Sequence, residues 1–240
     1  MKLHRFIINA ALSSSIRIRD KELANQIQSV LRLKEGDRLV VCDGSMHEAE
    51  AIITSLGKDA VEISLGEIRR NTVEAERKVI LYLSILKGEH FEMALEKATE
   101  CGVAEIVPLI TDRTVKQGVR EDRAQKILKE AAEQSGRGKV PLLHAARSLS
   151  DGIQHAELAN TVNFFFHETG EPLPMLRSVT LPTDSIGVFI GPEGGWSGQE
   201  LVFVEKKIME GRNLKVVTLG KRTLRAETAA IVATYDSVNL

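Results

Sequence analysis

Cysteine is scarce in this chain, with Cys42 and Cys101 the two thiols among 240 residues. Two isolated thiols in separate strand-like and helix-like runs build neither a disulfide framework nor a metal cage. The six histidines are scattered without ligand spacing, so no structural metal is expected. No apolar run approaches the ~20 residues of a membrane-spanning helix. No signal-peptide core follows Met1-Lys2-Leu3-His4-Arg5, so the expected address is cytoplasmic, with no membrane partner. A surplus of positive charge is also missing. The formal net charge of -1 speaks against indiscriminate nucleic-acid binding, and a phosphate-rich partner has to be met by local basic patches. Internal repeats, low-complexity segments and a G-x-G-x-x-G dinucleotide loop are absent as well.

What remains is an ordinary globular composition, 43% hydrophobic and 27% charged, at a length that suits one large domain or a small plus a medium one. The chain changes rhythm once. Residues 4–8, 38–42, 48–53 and 60–65 read as short strands, with Asp43-Gly44 and Gly57-Lys58-Asp59 as turns between them. One helix, residues 21–31, interrupts the series, and a small barrel-like β domain is the simplest architecture. Residues 67–78 are polar and carry no core periodicity. The boundary is placed there, giving domains over residues 1–72 and 73–240. Beyond it, strand starts at Val79, Glu105, Val162, Ile186 and Leu214 alternate with helical runs over 91–101, 121–135, 199–210 and 224–238. Such alternation predicts an α/β domain with a parallel sheet, whose ligands sit at the carboxyl ends of the strands.

Three strand ends stand out. The run Ile186 to Ile190 leads into Gly191-Pro192-Glu193-Gly194-Gly195-Trp196-Ser197, where Ser197 and Glu200 fit a capping box that starts a helix. Gly194 and Gly195 permit backbone conformations closed to other residues, and Pro192 stiffens the loop. A tight connection and a ligand-binding loop both fit this segment. The second follows the strand at residues 214–218 and reads Leu219-Gly220-Lys221-Arg222-Thr223-Leu224-Arg225-Ala226-Glu227-Thr228-Ala229. Arg225 and Glu227 at the mouth of a buried helix are either paired with each other or functional. The third is Phe164-Phe165-Phe166-His167-Glu168, whose His167 also suits a core position.

The order G-P-E-G-G-W-S followed by L-G-x-R-x-L-R-x-E-T-A resembles the RsmE family within the SPOUT superfamily of RNA methyltransferases. Lys87-Gly88, the runs at residues 96–103 and 130–137, and the run at 30–37 also fit that family's pattern, so the resemblance spans nearly the whole chain. Two positions depart from it: Gln26 stands where the family often has a histidine, and Thr223 where an aliphatic residue is usual. The resemblance implies an N-terminal PUA-like β-barrel that binds RNA, and a C-terminal SPOUT-type parallel sheet with a deep trefoil knot. It implies S-adenosylmethionine as cofactor, methylation of N3 of a uridine in 16S ribosomal RNA of the small subunit, and a homodimer.

On matching positions the cofactor loops contain Phe166, His167 and Glu168, then Ile190, Gly191, Pro192, Glu193, Gly194 and Gly195. They end with Leu219, Gly220, Leu224, Arg225, Glu227 and Thr228. Uridine N3 must lose a proton to become a nucleophile. Arginine, with a pKa above ~12, cannot take it but can stabilise the anion growing on the uracil oxygens. Arg225 and Arg222 lead for that catalytic role, with Arg137 third; Glu193 and Glu227 are both open as proton acceptors. RNA contacts are expected from Arg5, Arg17 and Arg19 in the small domain and from Arg113, Lys116 and Arg120 in the larger one. Residues 113–139 hold eight Lys/Arg against four Asp/Glu, which favours that region for phosphates. Two other functions are compatible with the same chain: a ribose 2'-O RNA methyltransferase sharing the cofactor loops, and a non-catalytic RNA-binding ribosome assembly factor.

Overall fold

The computed structural model describes residues 3–8, 10–115, 118–172 and 185–240. The chain forms two compact units, Met1–Glu74 with Ala132–Val140, and Ala75–Ala131 with Pro141–Leu240. The change of unit at Glu74/Ala75 falls inside the polar stretch 67–78. The return of residues 132–140 to the first unit has no counterpart in the single cut read from the sequence.

The first unit is a curled sheet in the order β1-β3-β4-β5-β2, with β6 paired to β4. Its strands are β1 (Arg5–Ile7), β2 (Ser15–Ile18), β3 (Arg38–Cys42), β4 (His47–Leu56), β5 (Val61–Leu65) and β6 (Arg69–Arg70). β1 runs parallel to β3, and the remaining ladders are antiparallel. The β3–β4 hairpin turns where Asp43 Oδ1 accepts from the amides of Ser45 (2.6 Å) and His47 (3.0 Å). Gly44 there has φ of +71°, which suits a residue without Cβ. Alternation in β4 sends Ala51 and Ile53 inward to meet Phe6, Leu39, Val41, Val61 and Ile63. Helix α1 (Lys21–Asn25), capped by Asp20, continues as a π-helical turn over Gln26–Val30 and adds Leu23 and Ile27 to that core. The single helix expected over 21–31 is thus two kinds of turn. β2 escaped the sequence reading because only Ile16 and Ile18 interrupt its serines and arginines.

Residues 132–140 are held to this unit by buried polar bonds. Glu133 Oε1 accepts from the Ile7 amide at 2.8 Å, and Asn71 Nδ2 donates to the Gly136 carbonyl at 3.0 Å. Arg137 Nη2 donates to Glu74 Oε2 at 2.7 Å.

The second unit is a parallel sheet in the order β10-β8-β7-β12-β11-β13, with β9 beside β8. Its strands are β7 (Lys78–Ser84), β8 (Glu105–Ile110), β9 (Leu142–Leu143), β10 (Arg147–Ser148), β11 (Val162–Pro172), β12 (Ser185–Ile190) and β13 (Leu214–Thr218). Helices α2 (His90–Glu100), α3 (Glu121–Ser135), α4 (Leu149–Ala159), α5 (Gly198–Met209) and α6 (Ala226–Val238) connect and follow them. β7 and β12 are buried along nearly their whole length, as strands covered on both faces must be. Tyr82 stacks on Phe189 at 4.3 Å in the layer that α4 and α5 cover, while α6 packs on α2, β7 and β12. All five strand starts read from the sequence lie within one residue of those observed. α4 was missed because Gly152 interrupts its pattern. That glycine is there for space, since a Cβ would sit 2.7 Å from Leu109 Cδ2. Among the described residues, no helix is long and apolar enough to cross a membrane.

Candidate active site

Strands β11, β12 and β13 lie side by side and parallel, so their carboxyl ends open at one edge of the second unit. A cavity of about 850 Å³ lies there, walled by residues 166–168, 190–196 and 218–227 with Ala229, and closed by His90 and Arg113. That is within the ~300–1,000 Å³ of small-molecule pockets. Three segments read separately from the sequence therefore share one pocket.

The β12 loop is built around Trp196. The indole is buried, stacks on Phe165 at 4.3 Å and donates from Nε1 to the Phe166 carbonyl at 3.0 Å, tying the β12 loop to β11. Gly191 is required beneath it, because a Cβ would stand 3.0 Å from the ring. Residues 192–195 form a turn closed by the Gly195 amide and the Pro192 carbonyl at 2.8 Å, and Gly195 has φ of +68°. The turn is gripped from two sides. Glu193 Oε1 accepts from the Lys87 amide at 2.7 Å, and Arg113 Nη1 donates to the Gly194 carbonyl at 2.5 Å. Past the turn the expected capping box is present, with Ser197 and Glu200 satisfying each other's backbone amides.

The β13 loop turns at Gly220, whose φ is +116° and whose amide meets Thr218 Oγ1 at 3.3 Å. It carries Lys221, Arg222 and Arg225, all exposed; among the described residues, Arg222 and Arg225 have no ion pair or side-chain hydrogen bond. Arg225 is thus not held in an internal contact with Glu227. Glu227 is buried in the first turn of α6 and faces His90 Nδ1 at 3.2 Å. Trp196 and Glu227 are the buried members of this wall, while Arg222 and Arg225 are exposed.

The structure brings together fourteen of the fifteen expected cofactor positions, Thr228 being exposed on α6 outside the wall. Of the three catalytic arginines it brings Arg222 and Arg225 to the cavity. Arg137 belongs to the first unit, where its guanidinium is 5% exposed against Glu74, so it is withdrawn from the catalytic set. Among the RNA candidates, Arg5 is corrected too: it donates to Glu48 at 2.7 Å and to Cys42 Sγ at 2.7 Å and is largely buried. Burial pushes the Glu48 carboxyl up, but hydrogen bonds from Arg5 and Asn71 outweigh it and hold Glu48 below the usual carboxylate range. Arg17 pairs loosely with Glu62 at 3.5 Å, and Arg19 is exposed. Arg120 approaches Glu92 at 3.5 Å, Arg113 lines the cavity, and Lys116 lies outside the described residues. The reading missed His90. For His90 the one signal was Lys87-Gly88, two residues upstream.

The comparisons agree with this geometry. A family model described as an RNA methyltransferase domain matches residues 73–235, and an RNA methyltransferase PUA domain matches residues 20–66. The chain is 31% identical over 237 residues to the ribosomal RNA small subunit methyltransferase E of Rickettsia conorii, covering 97% of this chain and 94% of that one. Its Bacillus subtilis counterpart is 30% identical over 223 residues, covering 88% and 85%. A crystal structure of ribosomal RNA small subunit methyltransferase E from Neisseria gonorrhoeae bound to S-adenosyl methionine superposes with a TM-score of 0.85. It is 27% identical, with 97% of this chain and 95% of that one covered. A pocket built from three segments at the ends of parallel strands, in a chain whose residues 20–66 match a PUA domain, thus coincides with sequence likeness along nearly the whole chain: the protein belongs to the RsmE family of SPOUT RNA methyltransferases.

Proposed function

We propose that this protein transfers the methyl group of S-adenosylmethionine to N3 of a uridine in 16S ribosomal RNA. The observation that carries the reading is the meeting of all three expected loops in one cavity lined by two exposed arginines that have no ion pair among the described residues. The cavity suits the cofactor. Phe166, Ile190, Leu219 and Leu224 offer apolar surface for a purine, and the turns at Gly195 and Gly220 let ligand atoms approach the main chain. The relative from Neisseria gonorrhoeae holds S-adenosyl methionine in the same fold.

When bound, the sulfonium supplies an electrophilic methyl group. The chain's own task is to orient the uracil and manage its charge and proton. To accept the methyl group that the bound cofactor would supply, uracil N3 must give up its proton. Arg225 and Arg222 stabilise the negative charge on the uracil oxygens, as an oxyanion hole does. Glu193 or Glu227, both in the wall, takes the proton directly or through water. The second unit is read as carrying the trefoil knot of the superfamily. The protein is read as a cytoplasmic homodimer acting on small-subunit RNA, with Val232 and Tyr235 of α6 exposed for a second copy.

Calorimetric titration with S-adenosylmethionine tests the cofactor part. Saturable binding to one site per chain is expected, unchanged by prior chelation of metals, because among the described residues no group of His, Cys, Asp and Glu is arranged to hold an ion. An affinity lost on chelation, or no binding, contradicts the reading.

A further inference from the structure

Among the described residues of the β8–α3 segment, Arg113 alone lines the cavity, and its surroundings are more built than a phosphate contact needs. Its segment is a closed turn. The Thr111 amide donates to Thr114 Oγ1 at 3.0 Å, the Thr114 amide to the Thr111 carbonyl at 3.0 Å, and the two hydroxyls meet at 2.7 Å. Thr111 is buried, so the base of this turn is fixed. From it Arg113 reaches the Gly194 carbonyl, and its stem lies so close that a Cβ on Gly194 would meet Arg113 Cδ at 3.3 Å. Asp112 adds two bonds to the same loop: its amide donates to Glu200 Oε1 at 3.1 Å, and its carboxylate accepts from Ser197 Oγ.

We infer that Arg113 is a positioning residue that holds the turn at residues 192–195 in the shape the methyl donor requires, rather than a contact to RNA phosphate. The inference rests on the proposed function, because it assigns Arg113 to the cofactor loop of that site. The physical case is preorganisation. A glycine-rich turn has many conformations, and a ligand that needs one of them binds more weakly by the fraction populated. A charge-assisted bond to the Gly194 carbonyl, from an arm rooted in a separate strand end, raises that fraction before the ligand arrives. Glu193, held by the Lys87 amide, pins the neighbouring residue from β7, so the turn is fixed at two successive positions.

The test combines cofactor calorimetry with steady-state methylation of small-subunit RNA for five forms: wild type, Arg113→Ala, Arg113→Lys, Gly194→Ala and the Arg113→Ala/Gly194→Ala double variant. Loss of one charge-assisted hydrogen bond in a solvent-accessible setting predicts roughly tenfold weaker cofactor binding for Arg113→Ala. KM for the cofactor rises in parallel, while turnover at saturating cofactor falls by less than about threefold. Arg113→Lys recovers part of the affinity, since an ammonium donates to one carbonyl but lacks the fork. Gly194→Ala weakens binding by displacing the arginine stem, and adds nothing further in an Arg113→Ala background. Arg113 is exposed, so melting temperatures should stay together. Unchanged cofactor affinity in Arg113→Ala, an additive double variant, or turnover and affinity falling together with the melting temperature would each overturn the inference. A wild-type protein that binds no cofactor and transfers no methyl instead overturns the proposed function beneath it.

Discussion

Arg225 occupies the N-cap of α6 with φ of -64° and ψ of 152°, yet its side chain makes no capping bond. Its guanidinium is therefore free of the helix and stands at the cavity mouth beside Arg222. A guanidinium presents a planar fork that pairs with a carbonyl oxygen carrying developing charge. Removing one preorganised donor of this kind raises a barrier by about 3 kcal/mol, a factor of ~100 in rate. Arg225→Ala should thus lower single-turnover methylation by about two orders of magnitude and leave cofactor affinity within a few-fold; Arg225→Lys should recover only part. Cofactor affinity lost with turnover at saturation intact would move Arg225 to the binding role and leave Arg222 to face the base. At this scale the sequence was legible where a residue acts beside its chain neighbours, as at Gly191, Gly195 and Gly220. It was not legible for Arg5 and Arg137, whose partners lie 43 and 63 residues away in the chain. A basic residue's exposure depends on such partners, and composition does not show them.

Strands and helices were read best where burial imposes a period. β7, β8 and β12 hold continuous apolar runs, β11 and β13 hold shorter ones at residues 164–166 and 216–217, and all five were found; α4 broke its pattern with Gly152, and β9 and β10 are too short to show one. The amino ends of these elements carry a second polar group, away from the cavity walls. Lys78 on β7 and His144 after β9 meet Glu105 on β8, at 2.5 Å and 2.7 Å. His155 on α4 bonds Tyr82 Oη at 2.9 Å beside the His144 ring. Burial raises the Glu105 carboxyl, but the bonds from Lys78 and His144 win and hold it below the usual range. Burial, then the charges of Arg147 and His144, hold His155 below the ordinary histidine value. Both depressed groups stabilise the fold above their unfolded values, and both contributions are lost as pH falls through their folded values. Acid should therefore weaken this unit first below the histidine range near ~6.5 and again below the carboxylate range near ~4.3. Urea midpoints at pH 7 and pH 5 check this: wild type should lose stability over that interval, and His155→Gln, which keeps an acceptor for Tyr82 but does not titrate, should lose less. Equal losses would remove His155 from the explanation.

The whole molecule joins an N-terminal unit built around a curled sheet to a parallel-sheet unit that holds the pocket. The alternation of strand and helix announced the second unit, and the polar stretch at 67–78 announced the change between them. The return of residues 132–140 to the first unit was invisible because it rests on side-chain bonds such as Glu133 to the Ile7 amide, not on pattern. Family resemblance added what periodicity lacks: the identity of the ligand proposed for the three loops. Chemistry on one nitrogen of one base type is the central claim, and the position of a transferred methyl group tests it most directly. Purified protein is incubated with small-subunit ribosomal RNA and isotopically labelled S-adenosylmethionine, the RNA is digested to nucleosides, and the label is located by mass spectrometry. The account predicts that the label appears as 3-methyluridine at a single site, and that Arg225→Ala suppresses it. Label on a ribose 2'-oxygen, on another base, or on no nucleoside at all would contradict it.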